Sequence, residues 1–143
     1  MKKLLPLLLF IPFSCYAMNF RPPPEDMVDK GLKLLWALVQ NNSTEALKYL
    51  DETTANTTCK SGFSALHYAT LVDNVTMVKQ LIAYGADTQQ KNHSGNTAFL
   101  LAARYIRQKT FAVLLKYATH DESIAAIHLF NYQVSHKKQL RKT

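Results

Sequence analysis

Five histidines, two cysteines and ten carboxylates are the groups with which this chain could do chemistry. Their spacing does not assemble a reaction centre. His93, His120, His128 and His136 are scattered, with no pair at the helical spacing of a metal site. There is no glycine-flanked serine elbow and no phosphate-cradling glycine loop. Asp51–Glu52 and Asp121–Glu122 are neighbours in sequence, so their side chains diverge and cannot flank a scissile bond. Asp121–Glu122 fits a helix start, where negative charge meets the positive end of the helix dipole, and Asp121 is a candidate N-cap. Two cysteines cannot build a four-cysteine zinc site. No catalytic residue, metal or cofactor is expected, and the chain does not read as an enzyme.

Asn-x-Ser/Thr occurs at Asn41, Asn42, Asn56, Asn74 and Asn92. In a eukaryotic secretory pathway these would accept glycans. Turns between helices favour the same residues, and unmodified turns are the reading favoured here.

The elements that must carry these groups repeat. Gly62 to Ser94 and the stretch from Gly95 onward match at an offset of 33: Gly62 with Gly95, Ser64 with Thr97, Ala65 with Ala98, Leu66 with Phe99, Ala69 with Ala102, Leu81 with Leu114, Ile82 with Leu115 and Tyr84 with Tyr117. A period in this range signals a stacked array. Within a unit, Leu66, Ala69 and Thr70, then Met77, Val78, Leu81 and Ile82, lie at helical spacing. Two helices of about ten residues cannot bury both apolar faces alone, so the units must stack. A degenerate unit precedes them. Lys33 to Asn42 aligns with Ala65 to Asn74 at an offset of 32, and Ala46, Tyr49 and Leu50 then fall on Val78, Leu81 and Ile82.

These residues resemble the ankyrin repeat, whose pattern runs G-x-T-P-L-H-x-A and closes V-x-x-L-L-x-x-G-A-D. The first full unit has Gly62, Ser64, Ala65, Leu66, His67, Ala69, Val78, Leu81, Ile82, Gly85, Ala86 and Asp87. The second keeps Gly95, Thr97, Ala102, Val113, Leu114 and Leu115, with Leu100 for the histidine and Ala118 for the closing glycine. Asp73 and Ile106 stand where the family usually has glycine between the helices, so those turns are expected to differ. The resemblance covers roughly residues 28–119. It implies an all-α solenoid of stacked helix-turn-helix repeats with terminal caps: a capping repeat over 28–58, repeats over 59–91 and 92–120, and a C-terminal capping helix over 121–134 with Ile124, Ile127, Leu129 and Phe130 facing the stack. It implies that His67 ties turns between units. Ser64 and Thr97 are candidate N-caps, Gly85 a left-handed helix end, and Ala69 and Ala102 close-packing positions.

Ahead of the stack, Lys2 and Lys3, the apolar run Leu4–Phe13 and Ser14–Ala17 form a secretory leader over residues 1–17, cut after Ala17. Pro6 and Pro12 argue against a buried N-terminal helix. A lipid on Cys15 is the competing reading, and Pro12 stands against it. Residues 18–26 form a proline-rich linker, and Asp26 is a candidate N-cap for a helix starting near Met27. The terse Lys-Lys leader points to a bacterial exported protein, periplasmic or secreted. Once the leader is removed, Cys59 is the only cysteine, so no internal disulfide is expected.

The chain has 143 residues, enough for one domain, with a formal charge of +7. Lys2 and Lys3 leave with the leader, and Lys137, Lys138, Arg141 and Lys142 lie in a basic tail over 135–143. Residues 18–136 therefore carry only +1. That argues against a nucleic-acid-binding face. The expected function is an exported module that binds another protein, as a monomer. By resemblance its contact residues are Lys60, Ser61, Phe63, Leu71, Val72, Lys91, His93, Ser94, Asn96, Arg104 and Tyr105; Phe63 and Tyr105 are equally suited to capping a small core. The alternative is a membrane-surface or anchored structural protein held by an uncleaved leader and the basic tail.

Overall fold

The computed structural model describes residues 29–141. The leader, the linker and Asp26 lie outside them. Among the described residues the chain is all helical, in successive antiparallel pairs: α1 (Lys30–Val39) with α2 (Ser43–Tyr49), α3 (Ala65–Leu71) with α4 (Val75–Ala83), and α5 (Ala98–Arg104) with α6 (Gln108–Leu114). A short 3-10 turn (Leu115–Tyr117) leads to α7 (His120–Leu140). None of these helices is long and apolar enough to cross a membrane.

Side-chain caps start most of the helices. Asp29 accepts from the Gly31 and Leu32 amides, Asn42 from Glu45, Asn74 from Met77, and Thr119 from Glu122. Ser64 and Thr97 cap α3 and α5 as their types predict. Helix α6 has no cap of its own, because Arg107 occupies that position. The carboxylate of Asp73, in the preceding unit, accepts instead from the Thr110 amide and hydroxyl, both at 3.1 Å.

The first helices stack as α1–α3–α5–α7, and α4 packs on α6 behind them. Ala37, Ala69 and Ala102, at matching positions in the three units, are all fully buried. Their methyl groups set the close approach of neighbouring first helices. Leu34, Leu35, Leu38, Leu66, Met77, Val78, Leu81 and Leu114 fill the space between the layers. Each such side chain is worth about 1.5–3 kcal/mol relative to exposure. At the far end, Phe99, Phe111 and Phe130 stack with centroids 4.8 and 4.6 Å apart, joining α5, α6 and α7.

The C-terminal segment differs from expectation. Its N-cap is Thr119, so Asp121 sits in the first turn instead. The helix runs on to Leu140, and residues 135–140 are its last turns rather than a separate tail. Ala126, Leu129 and Phe130 meet the stack, whereas Ile124 and Ile127 are exposed.

The turns between paired helices also correct the sequence reading. Asn41, Asp73 and Ile106 have φ of 53°, 55° and 55°, the left-handed conformation that a glycine would normally supply. Each closes its helix in the same way, with an amide reaching back five residues: Asn42 to Ala37, Asn74 to Ala69, Arg107 to Ala102. The turn geometry is kept without the glycine. Asn visits this region readily, Asp less so, and a β-branched residue is strained there. Replacing Ile106 by Gly should therefore raise stability by about 1 kcal/mol, the cost of a left-handed L-residue less the entropy of glycine. The urea midpoint should rise at constant m-value. A fall would mean that the half-buried Ile106 side chain contributes more by packing than its backbone loses.

Candidate functional site

Before α3 and α5 the chain turns back on itself in two short hairpins. In the first, Thr58 bridges Ser64, the Cys59 amide donates to the Phe63 carbonyl at 3.0 Å, and the Gly62 amide donates to the Cys59 carbonyl at 2.9 Å. Thirty-three positions on, Asn92 donates to Asn96 and Gly95 to Asn92 at 3.0 and 2.9 Å. Gly62 and Gly95 share φ of 76°. The two fingers touch: the His93 amide donates to the Ser61 carbonyl at 3.1 Å. A Cβ on Gly62 would lie 2.7 Å from the His93 ring, so glycine is required there twice over, by conformation and by its neighbour.

His67 fastens the fingers to the helices. The Ser64 amide donates to its Nδ1 at 3.0 Å, which leaves the proton on Nε2, and Nε2 donates to the Asn96 carbonyl of the next finger at 2.9 Å. The Ser64 hydroxyl lies 2.7 Å from Nδ1. This is the inter-unit tie that the resemblance implied. Burial pushes the imidazole below its ordinary value, against the Asn96 carbonyl, which pulls it up. Both ring nitrogens are engaged inside the protein and the ring is buried, so His67 is a structural tie between the units.

The next unit has no such histidine. Leu100 stands there, and the Thr97 hydroxyl donates a hydrogen bond to Glu122 of α7. Other side chains carry joints that the sequence reading did not single out. Asn56 donates to the Gly85 carbonyl and accepts from the Asp87 amide, and Gln89, thirty-three positions later, donates to the Tyr117 carbonyl. All five asparagines of the Asn-x-Ser/Thr sites have such roles. Asn42 and Asn74 cap helices, Asn74 also donates to Asn41, Asn56 spans units, and buried Asn92 accepts from the Ser94 and Asn96 amides. Cys59 is buried and, contrary to expectation, is not a free thiol; the Tyr68 hydroxyl lies 3.4 Å from its sulfur.

The expected contact residues separate into three groups. Lys60, Lys91, His93 and Ser94 are exposed on or beside the fingers, and Ser61 is half-buried between them. Arg104 is exposed at the far end of α5, with Val72 and Tyr105 half-buried at the ends of their helices. Tyr105 packs against the core. A seven-residue helix is about 10 Å long, so these two groups lie at opposite ends of the first-helix layer. Phe63, Leu71 and Asn96 are corrections: all three are buried. Phe63 packs its ring, tilted, against those of His67 and Tyr68, Leu71 belongs to the core, and Asn96 is drawn inward by the Asn92 side chain and the His67 tie. Among the described residues no cluster of three His, Cys, Asp or Glu side chains could hold a metal ion.

Comparison with known proteins agrees with the geometry. The family described as "Ankyrin repeats (3 copies)" matches over residues 8–92 and 34–124. A protein of Rickettsia felis described as an ankyrin repeat protein is 30% identical over 83 residues, 55% of this chain. The matched region spans only 27% of that relative's length. No solved structure matches the chain.

The His67 tie makes stability depend on pH. Its folded pKa lies below the ordinary 6.5. The unfolded chain therefore takes up a proton first as pH falls, and the contribution present above 6.5 is lost on acidification toward the depressed folded value. The melting temperature should drop between pH 7 and pH 5, and His67→Gln should flatten that part of the curve. An unchanged slope in the variant would remove His67 from the account.

Proposed function

The chain belongs to the ankyrin repeat family, a family of protein-binding modules, and on that premise we propose that it is an exported, monomeric protein-interaction module with no catalysis of its own. The observation that carries this reading is the locked pair of fingers. Lys60, Lys91, His93 and Ser94 are exposed on a scaffold held by the His67–Asn96 and His93–Ser61 bonds. Side chains held on a rigid frame lose little freedom when they bind. Arg104, exposed at the end of α5, is the residue of a type that most often dominates binding energy. The partner is another protein; nucleic acid is not proposed.

Export rests on the leader pattern of residues 1–17, with the periplasm or the exterior of a bacterial cell as destination. N-terminal sequencing of the exported protein should begin at Met18. Recovery of Met1 in that fraction, or of lipid on Cys15, would replace this reading with the anchored, membrane-surface alternative.

On the binding face, Arg104→Ala should weaken the complex by about 1–3 kcal/mol while leaving the melting midpoint in place. Lys138→Ala, on the exposed end of α7, should cost little and matter mainly at low salt. Calorimetric titration and thermal melts on the same variants check this. Loss of binding in Lys138→Ala with Arg104→Ala unaffected would move the function from the fingers and first helices to α7.

A further inference from the structure

Helix α7 outruns the stack that it closes. It has 21 residues where α5 has 7, about 31 Å against about 10 Å. The two start side by side, with the Thr97 hydroxyl on Glu122. Contact with the core runs to Phe130, and Gln133 and Val134 just beyond it are half-buried. From 135 to 141 every residue is exposed.

The chemistry of this projecting end is one-sided. No carboxylate follows Glu122 in the sequence, whereas Lys137, Lys138, Arg141 and Lys142 do. Lys137 lies four positions from Arg141 and Lys138 lies three, so like charges are neighbours on the helix surface. They favour the negative end of the helix dipole and repel one another. Among the described residues none of Lys137, Lys138 and Arg141 is in an ion pair. The same turns hold Tyr132 and Leu140, each 65% exposed and turned away from Lys138 and Arg141 at 100° per residue. The Tyr132 ring is stacked on that of His136, with centroids 6.0 Å apart.

We propose that the projecting end of α7 is a docking element for an anionic lipid surface. Lys137, Lys138 and Arg141, with the charge of Lys142, meet the headgroup phosphates, while Tyr132 and Leu140 enter the boundary with the acyl chains. The long basic side chains reach up to the phosphates as the helix lies along the surface. Other occupants answer less of this pattern. A second copy would set the same cations against each other. A groove on a protein takes a helix by a continuous apolar stripe, which these turns lack. A nucleic acid would answer the charge and leave Leu140 in water. A fluid headgroup layer demands no register and accepts both kinds of side chain. This goes beyond the protein-binding reading and does not rest on it, since the fingers and Arg104 take no part.

The test is sedimentation of the exported protein, in the form in which it is isolated, with vesicles of phosphatidylcholine alone or with about a third phosphatidylglycerol. Binding to the mixed vesicles alone is expected, and high salt should release it. Lys137→Gln together with Lys138→Gln removes two cations from exposed turns and should weaken binding about thirtyfold, with the melting midpoint unchanged. Emission of the Tyr132→Trp variant should shift to the blue on the mixed vesicles, whereas the parent chain, whose one tryptophan is Trp36, should not shift. Equal binding to neutral vesicles would assign attachment to an apolar segment and overturn the proposal. So would no binding, binding indifferent to the double change, or an unshifted Tyr132→Trp spectrum. Release from the vesicles by single-stranded DNA would overturn it too and assign the cations to nucleic acid.

Discussion

A pair of helices seven to ten residues long has no inside. Each presents an apolar stripe, and the two together cover only part of what they expose. Isolated, they would be too short to persist in water. Every other feature of this fold answers that constraint. The first helices must lie against the first helices of the next unit, so Ala37, Ala69 and Ala102 have been kept small and are fully buried. The fingers must lie against one another, so Gly62 has no side chain where His93 passes. Polar groups trapped by the stacking must find partners across it, which His67 does for Asn96 and Asp73 does for Thr110.

The parts readable from sequence are those in which a residue type answers a local demand at a fixed spacing. The offset of 33, the small residues at Ala69 and Ala102, the caps at Ser64 and Thr97 and the glycine at Gly85 are of this kind, and the stack follows from them. Three things were not readable for physical reasons. The joints made by Asp73 and Glu122 pair residues 37 and 25 positions apart, and neither pairing has a periodic signature. The left-handed turns at Asp73 and Ile106 look forbidden by type and are imposed by the closure of the preceding helix. The last turns of α7 carry good helix formers without an apolar stripe, so periodicity alone loses the helix near Val134.

The contact face was readable by position and misread by exposure. Family resemblance says where a side chain sits in the repeat, but burial depends on what the neighbouring unit places over it. Phe63 and Leu71 were filled in by aromatic and aliphatic neighbours, and Asn96 was turned inward by hydrogen bonds from both sides. What is left in the open is polar, with the cations Lys60, Lys91 and Arg104 beside His93 and Ser94. A surface of that kind selects partners by charge and geometry more than by apolar area.

The helix cap that α6 borrows from Asp73 has a consequence for how such a chain could change. A repeat is often pictured as a brick, interchangeable with its neighbours. Here each brick is cut to fit one particular successor. A second copy of residues 92–119 inserted after the first would meet Leu100 where its finger needs the imidazole of a His67, and Ile106 where its own uncapped second helix needs the carboxylate of an Asp73. The order of the units is therefore written into the joints, and the array cannot grow by copying its last member without rewriting the seam.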